Sequence, residues 1–578
     1  MESTEGNAFT AKEPFEDQQS AIKELINQYS TLESRRAPWD PVHRDIIDYI
    51  HPARKYFPQD GETTRDKTYL YNSRAVLDLR IASSGFLGYT ANRRAPWYIL
   101  QFDDYTVNRK PGVGKFLEEA GRILSSWFTR TSFYEALAEA APDGLALGTG
   151  YIFSQENLGN PNKSFWLAKH PKAVFIAENP SGEVDTFCEL VYTTNRALAE
   201  NYGERIGEAN IQRAKDRPFE GKTIRLSVFP RDRRFDQYRL HQNRPIHPRM
   251  EYTGVYWDPQ ENKILDVVGY WEFPLLAWRC RRDGDWYGTG PGFDVIGDTL
   301  VGNQMGRSRL QLGNLIADPP MLSSKGLEGS DDLVPGLHIY KSKETDTIEP
   351  VPLGANYPIA IDNEKRQDEI IDEHFMIPLY RMLQQATGKM TAREVIERLG
   401  EKISILGPQV GGYEKQVLQP AIRRGFNINL RAGKLPDPPQ AFKDALAAGS
   451  SLKVEFVGFF SQAQKKYYQT TNISAAVEVA AGVGQFFPDS LHVIKGDDLM
   501  REGLEAAGAP ASTIRDDKEL AEFRDQLAAA QQAAKEEQLA MMEKEQMMKY
   551  AGNLGKAPQP GSPLDQLGAG MPPMVGGI

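Results

Sequence analysis

The sequence predicts an α+β protein, with helices first, strands in the middle and a pair of long helices after them. Three observations favour this class. Apolar residues recur at helical spacing through much of residues 17–147, and short β-rich runs separated by Asn, Pro and Gly turns occupy residues 150–278. Two helical stretches of nearly equal length then flank a Pro- and Gly-rich excursion between residues 293 and 383. The 578 residues suffice for about three to five structural units.

The composition resembles that of ordinary soluble proteins, with 40% hydrophobic and 25% charged residues. The net charge of −10 argues against a general nucleic-acid coat, but not against a wall that nucleic acid passes without being gripped. The two cysteines, Cys188 and Cys280, favour a reducing compartment. An acidic start without an apolar core predicts no signal peptide, and the lack of about 18 consecutive apolar residues predicts no membrane span.

The predicted elements of the first 290 residues follow from these periodicities. Helices are predicted at 17–36, in 40–57 up to Pro52, and at 73–87, 114–131, 133–147 and 194–214. Strands are predicted at 151–153, 165–168, 173–177, 188–192, 224–229, 250–257 and 264–271.

The two long helices are predicted to form an antiparallel hairpin. The first, 293–316, is ended by the prolines of Asp318-Pro-Pro320 and spans roughly 36 Å, and the second, 359–383, spans roughly 37 Å. Two strand-like pieces lie between them, at 337–341 and 347–353. Because two strands alone are marginally stable in water, this tip would gain from pairing with neighbouring subunits.

The second helix of the hairpin is acidic, with six acids and two bases between residues 361 and 374. This net charge of −4 allows two interpretations. The acids form either a solvated face with helical salt bridges, or a negative lining that repels DNA phosphate so that DNA slides. The candidate lining residues are Asp362, Glu364, Asp368, Glu369 and Asp372.

The chain after the hairpin is predicted to be mainly helical. A long helix starts near Thr391, with Glu394 as its capping-box partner, and continues to Arg431 with bends near Pro408 and Pro420. Residues 452–460 alternate like a strand. Further helices are predicted at 463–486, 490–507 and 517–550, before a Gly- and Pro-rich tail that is expected to be disordered.

Enzyme motifs are not found. Gly288-Thr-Gly290-Pro-Gly292 lacks dinucleotide spacing, and Gly388-Lys389 lacks the earlier glycine of a phosphate loop. HExxH, CxxC and GxSxG are absent, so the sequence predicts no metal, no cofactor and no enzyme. The basic and aromatic clusters around Arg93 and Arg231 favour surface packing over nucleic-acid contact.

Four stretches, in order along the chain, carry a resemblance. They are 71–90 followed by Ala95-Pro-Trp97, then Tyr287-Gly-Thr-Gly-Pro-Gly-Phe-Asp294 followed by Ala317-Asp-Pro-Pro-Met321, then 390–399 followed by Leu406-Gly-Pro408, and finally 504–519. Together they cover most of the chain, and they resemble the portal (head-to-tail connector) family of short-tailed phages.

The resemblance implies a portal fold in a homo-oligomeric ring of twelve subunits. Its parts would be a wing at 1–290, stem helices at 291–316 and 359–384, a clip at 317–358, a tunnel loop at 385–391, a long wing helix and return strand at 392–460, a crown at 461–515, a crown or barrel helix at 516–550 and a disordered tail at 551–578. The implied tunnel-loop contacts with DNA are Gln385, Thr387, Gly388, Lys389, Met390 and Thr391. The implied docking residues of the clip are Leu337, Ile339, Tyr340, Ile348 and Val351.

The function implied by the resemblance is a gate at one capsid vertex for packaging and ejection of double-stranded DNA. The implied partners are the major capsid protein and scaffold, the terminase and tail adaptor or nozzle proteins. The protein would reside in the virion, and in the host cytoplasm during assembly. Two alternatives remain: a minor capsid or scaffold-associated structural protein, and a hydrolase or nuclease.

Overall fold

The computed structural model describes residues 15–55, 57, 69–108, 110, 112–157, 160–240, 246–317, 321–323, 348–350, 357–385, 405–449, 452–460 and 517–554. Within these residues the chain is α+β, as the sequence predicts. It divides into two compact units. The first comprises residues 1–101, 116–438 and 452–499, and the second comprises 102–115, 439–451 and 500–578.

Eleven labelled helices precede residue 386 among the described residues. They are α1 Gln18–Arg36, α2 Asp40–Tyr49, α3 Arg74–Thr90, α4 Tyr105–Asn108, α5 Val113–Arg130, α6 Phe133–Leu147, α7 Asn195–Tyr202, α8 Glu208–Asp216, α9 Pro291–Ala317, α10 Tyr357–His374 and α11 Ile377–Gln385. Later helices include residues 405–413, Gln419–Arg431, Gln440–Ala447 and Asp517–Leu554. The predicted helices at 17–36, 73–87, 114–131, 133–147 and 517–550 are confirmed.

The strands fall into several small sheets. They are β1 Tyr98–Phe102, β2 Thr149–Gln155, β3 Phe165–Lys169, β4 Val174–Glu178, β5 Val184–Thr194, β6 Gly221–Pro230, β7 Tyr252–Asp258, β8 Lys263–Tyr270, β9 Leu275–Arg279, β10 Arg281–Arg282, β11 Gly288–Thr289, β12 Met321–Ser323, β13 Ile348–Pro350 and β14 Leu452–Phe456. The largest sheet has the order β4-β5-β6-β7-β8, and a three-stranded sheet has the order β3-β2-β9. All seven strands predicted between residues 150 and 278 are confirmed.

Helix α1 covers one face of the five-stranded sheet. Its start is fixed by Asp17, whose carboxylate accepts a hydrogen bond from the backbone N–H of Ser20 at 2.7 Å. Its apolar residues recur every three or four positions, so one stripe of the helix is buried against the sheet. The stripe joins the core cluster that contains Ala21, Ile22, Leu25, Tyr29, Leu32, Val255, Trp257 and Ile264.

The glycine run at 288–292 packs against the end of α6. A Cβ on Gly290 would lie 2.6 Å from the carbonyl oxygen of Leu145, and a Cβ on Gly292 would lie 2.2 Å from that of Ala146. Only glycine allows the two backbones to approach this closely. The glycines therefore serve the packing of the α9 start, which gives a structural reason for their spacing.

The second unit contains α4, the helix Gln440–Ala447 and the helix Asp517–Leu554. The rings of Phe102 and Phe442 pack edge to face, with centroids 5.1 Å apart. The helix Asp517–Leu554 is 38 residues long, and all side chains described at 521–545 are exposed.

Two predicted helices differ from the structure. The helix predicted at 359–383 is not continuous, because it breaks between α10 and α11 at Met376, whose φ is +56°. Pro378 has no backbone N–H to donate to His374, so a straight helix through this point would lose a hydrogen bond. The helix predicted at 194–214 is likewise split into α7, a 3-10 turn at Gly203–Ile206, and α8.

The long helix before residue 431 changes its winding near the predicted bend at Pro420. Glu414–Leu418 is a π-helical turn. Pro420 has no N–H for the carbonyl of Gln416, which favours such a turn there. The Gln416 side chain is used elsewhere: its Oε1 accepts from the Arg279 backbone N–H at 3.0 Å and from Arg279 Nε at 3.1 Å. Residues 391–404 of the predicted helix lie outside the described residues.

Candidate functional site

The helical hairpin of α9 and α10 is the candidate site. The two helices pack along each other, and polar pairs fix their register. Arg309 Nε lies 3.0 Å from Glu364 Oε2, and Gln367 Nε2 donates to Asp298 Oδ1 at 2.6 Å. The predicted pairing of the two helices is therefore confirmed for residues 291–317 and 357–374.

A stripe of small residues on α9 receives the segment that leads into α3. Asn303 accepts from the backbone N–H groups of Tyr71 and Asn72 at 2.7 and 3.2 Å, and donates to the carbonyl of Tyr69 at 3.0 Å. A Cβ on Gly306 would lie only 3.1 Å from the Tyr71 carbonyl oxygen. One buried amide thus satisfies three backbone groups that would otherwise be left unpaired.

Three acids of α10 face the protein. Glu364, Asp368 and Asp372 are spaced by four residues and so share one face of the helix. Glu364 pairs with Arg309, and Asp368 accepts from Asn72 Nδ2 at 2.9 Å. Asp372 accepts from Arg74 Nε at 2.6 Å and also from Arg74 Nη2. Two of the three acids thus form ion pairs and Asp368 binds a neutral amide, and every one of these partners lies outside α10.

The exposed face of α10 is less acidic than its sequence suggests. Three acids are exposed there, Asp362, Glu369 and Glu373, together with two bases, Lys365 and Arg366. This leaves a net charge of −1 on the exposed face, whereas residues 361–374 as a whole carry −4. Of the five predicted lining residues, Asp362 and Glu369 are the two whose carboxylates face solvent.

A cluster of four charged side chains joins the hairpin to α3. Arg74 binds Asp372 on α10 and also lies 3.3 Å from Asp78 Oδ2, one turn further along α3. Arg381 on α11 lies 3.4 Å from Asp372 Oδ2. Burial first and the neighbouring Asp372 second raise the pKa of Asp78, Arg74 and Arg381 oppose them, and the resulting pKa is about 7.

Helix α11 packs on the same helix α3. The Tyr380 ring lies against Gly85, where a Cβ would approach the ring to 2.4 Å. Phe375, Ile377 and Leu379 are buried beside it. The break at Met376 therefore lets α10 present its acids to the start of α3 while α11 presents apolar residues to the middle of that helix.

Arg74, Asp78, Asn303 and Arg309 were not identified from the sequence. Arg74 and Asp78 lie in the stretch 71–90 that carries the resemblance, and their spacing of four residues is the one signal that points to an ion pair. The partner of Arg74 on α10, Asp372, is 298 residues away, so local patterns cannot reveal it.

Most of the predicted loop and clip residues lie outside the described residues. These are Thr387, Gly388, Lys389, Met390, Thr391, Leu337, Ile339, Tyr340 and Val351. Gln385 is the last residue of α11. Ile348 begins β13, which confirms part of the predicted strand 347–353. This strand pairs antiparallel with β12, where Ser323 lies opposite Ile348.

The chemistry of the hairpin is that of fixed charge pairs, which hold helices at set positions. Among the described residues, no group of three or more His, Cys, Asp or Glu is placed to hold a metal ion. In the same part of the chain, no helix is long and apolar enough to cross a membrane.

The fold is an α+β body that carries a hairpin of two long helices, held on it by charge pairs. The chain belongs to the bacteriophage head to tail connecting protein family, whose model matches residues 22–514. It is similar to the portal protein of Salmonella phage epsilon15, with 24% identity over 529 residues that cover 88% of this chain and 92% of that protein. It is also similar to the probable portal protein of Bordetella phage BPP-1, with 25% identity over 541 residues that cover 90% and 93%.

Proposed function

We propose that this protein forms a ring at one vertex of a phage capsid, through which double-stranded DNA is packaged and later ejected. The observation that carries the proposal is family membership, because similarity to portal proteins extends over about 90% of the chain and over more than 90% of each relative. Similarity of this extent includes the hairpin as well as the body. The proposed ring is a homo-oligomer, with twelve subunits as the expected number.

The hairpin supports a stem role in that ring. Helices α9 and α10 are tied to each other by Arg309 with Glu364 and to the body by Arg74 with Asp372. Several apolar side chains of α9 are nevertheless exposed: Leu300, Val301, Leu310, Leu315 and Ile316. Exposed apolar surface of this kind is stabilised when a second copy covers it. In this proposal residues 1–290 form the wing, 291–316 and 359–384 the stem, and 461–515 the crown.

The tip of the hairpin is proposed as the docking clip. Pairs of short strands are marginal alone, and β12 and β13 are three residues each, which favours their completion by neighbouring subunits. The proposed partners at this end are the terminase and then tail adaptors. The capsid protein and scaffold would contact the rest of the ring. Deletion of residues 327–353 is expected to abolish docking, and normal docking by that deletion would count against the clip assignment.

The tunnel loop at 385–391 is proposed to reach the lumen, with Lys389 repeated once in each subunit. Lys389→Ala is expected to leave ring formation intact and to change DNA retention or packaging yield. A variant virion with unchanged retention and yield would refute the assignment to the lumen.

Electron microscopy of the purified full-length chain tests the ring itself. We expect closed rings with a central hole at micromolar concentration. A particle that stays monomeric at all concentrations, with scaffold and capsid protein also present, would refute the proposal.

A minor capsid or scaffold-associated role is the second candidate. The exposed, polar helix Asp517–Leu554 favours it, since such a helix needs a partner. Labelling of this protein in capsids distinguishes the two: a single labelled vertex supports the portal, and label spread over the shell supports the alternative.

A further inference from the structure

An open cavity of about 270 Å³ lies on the first unit, away from the hairpin. Three elements surround it: the outer face of α5, the turn around residue 162, and the end of the helix Gln419–Arg431. Its main lining residues are Arg122, Trp127, Arg130, Asn162, Asn429 and Lys434.

The cavity is lined by three cations and by no carboxylate. Among the described residues, Arg130 and Lys434 form no ion pair, and the contact of Arg122 with Glu119 is long, at 3.9 Å. The chain as a whole has a net charge of −10, whereas the side chains that line this concavity carry three positive charges. A concave surface of one charge sign concentrates the electric field and attracts an anion.

The backbone position of Lys434 is fixed by the way the preceding helix ends. Gly433, with φ +63°, ends the preceding helix in a left-handed conformation. Its N–H donates to the carbonyl of Leu430 at 3.1 Å, and that of Lys434 donates to the carbonyl of Asn429 at 2.9 Å. These two backbone hydrogen bonds form the motif that commonly ends a helix and reverses the chain direction. Lys434 is thereby held beside Asn429, at the rim of the cavity.

The floor of the cavity is rigid. Trp127 is buried, and its ring packs against Phe128 and Trp166 with centroids 5.2 and 6.2 Å apart. Asn429 is also buried, and its Nδ2 is occupied by the Gly425 carbonyl at 2.8 Å. The charged side chains at the rim thus surround a floor of buried, packed residues.

The spacing of the two arginines favours an extended anion. Arg122 and Arg130 lie eight residues apart on one face of α5, which separates their backbones by roughly 12 Å along the axis. A single carboxylate is too small to use both arginines and Lys434 together. A polyanion with repeated charges can contact all three.

We propose that this cavity binds successive phosphates of a nucleic-acid backbone, at a site separate from the α9–α10 hairpin. Arginine and lysine are the side chains that neutralise backbone phosphates, and such contacts position nucleic acid without reading its sequence. The proposal does not depend on the ring, because every residue that lines the cavity belongs to one chain.

Binding of a labelled 20-base-pair DNA duplex by the full-length protein tests the proposal. The affinity is measured by fluorescence anisotropy between 50 and 200 mM salt for the wild type and for Arg122→Gln/Arg130→Gln/Lys434→Gln. We expect at least about a tenfold loss of affinity, and a salt slope smaller by roughly 2.7 for three lost contacts. The matched control, Arg196→Gln/Lys215→Gln/Arg217→Gln, removes three exposed cations elsewhere and is expected to leave the slope near that of the wild type.

Ser126→Glu is the second variant, in case the triple variant does not fold. It places a carboxylate in the cavity from an exposed helical position. This negative charge is expected to weaken DNA binding because it repels phosphate. DNA binding that is equal in both cavity variants and the control would overturn the proposal. So would complete displacement of DNA by a few millimolar inorganic phosphate, or equal arginine-dependent binding of a polyglutamate peptide, since these outcomes identify a free phosphate or an acidic protein as the ligand.

Discussion

Arg74 at the start of α3 and Asp372 near the end of α10 are joined by two hydrogen bonds between the guanidinium and the carboxylate, one of 2.6 Å. The two residues are 298 positions apart in the sequence. This pair connects the α+β body to the hairpin through side chains that are mostly buried, where solvent screens the charges only weakly. This ion pair links α3 of the body directly to α10 of the hairpin.

Removal of Arg74 is expected to destabilise the first unit strongly. Arg74→Ala leaves Asp372 without its main hydrogen-bond donor, and it leaves Asp78 buried without its nearest cation. Loss of one partner from such a pair costs about 2–4 kcal/mol in the free energy of unfolding, because the remaining charge is left poorly compensated. Urea unfolding followed by tryptophan fluorescence measures this cost.

The matched control for Arg74 is Arg196→Ala. Arg196 pairs with Glu200 on an exposed helix surface, with 61% of each side chain accessible, so its removal is expected to cost less than about 0.5 kcal/mol. Equal small effects of the two substitutions would show that the Arg74 pair contributes nothing beyond a surface ion pair.

Asp78 is expected to make stability depend on pH. Its pKa is about 7 in the folded chain, compared with the ordinary value of 3.8. Between these values the folded chain binds a proton that the unfolded chain lacks. The contribution of Asp78 to stability is therefore full below about pH 4 and falls as the pH rises to about 7.

Asp78→Asn removes this titration. The free energy of unfolding of the variant minus that of the wild type is expected to rise by roughly 2–4 kcal/mol between pH 4 and pH 7. Above about pH 8 this difference is expected to stay constant. The groups that face Asp78 in this cluster are Arg74, Asp372 and Arg381, and they are unchanged in the variant. Urea unfolding of both proteins across this pH range gives the difference. A constant difference at every pH would contradict the raised pKa.

The sequence predicted elements well where local periodicity decides them. The helix 133–147 and the strands of the middle region were found because buried residues repeat with the period of the element. The break at Met376 was missed because it depends on the packing of α11 against Gly85, which local periodicity does not contain. Pro378 was the one local signal of a break in the predicted helix. It lies at the second position of α11, where proline is compatible with the start of a helix.

The acids of α10 show a different limit. Their spacing predicted a charged helix but could not separate the buried Asp372 from the exposed Glu369, since both belong to an acidic run with few apolar markers. Which face packs is determined by Arg74, Asn72 and Arg309, and these partners come from distant parts of the chain. Residue-by-residue assignment of the lining therefore requires the tertiary structure.

The glycine contact at the start of α9 is expected to be intolerant of a methyl group. Gly292→Ala places a Cβ 2.2 Å from the Ala146 carbonyl oxygen, which is a backbone atom that cannot move aside cheaply. The expected loss is about 1–3 kcal/mol in the free energy of unfolding. Gly297→Ala, on the same helix, meets nothing within 4 Å and is expected to stabilise by about 0.5–1 kcal/mol. Equal thermal shifts for the two variants would rule out the close approach as the reason for Gly292.

The exposed face of α10 allows a direct test of whether this helix lines a channel and repels DNA. Its net charge is only −1, since Asp362, Glu369 and Glu373 are offset by Lys365 and Arg366. Asp362→Asn/Glu369→Gln therefore reverses the sign of this face to +1 in every subunit. If the face lines the proposed channel, the variant attracts phosphate where the wild type repels it, and ejection of DNA from variant virions is expected to slow several-fold at low salt and to recover at high salt. Because Asp362 and Glu369 are exposed, the folding of the subunit should not change.

Glu208→Gln/Asp216→Asn, a double neutralisation on exposed α8, is the control for the change in total charge. Slowing in both variants would attribute the effect to net charge and not to α10. Wild-type ejection rates in the α10 variant at every salt concentration would mean that this face does not meet DNA. The acids of α10 would then have only structural roles, with Glu364, Asp368 and Asp372 holding the hairpin and the exposed acids serving solubility. Asp372→Asn cannot substitute in this test, because it disrupts the contact with Arg74 and confounds charge with folding.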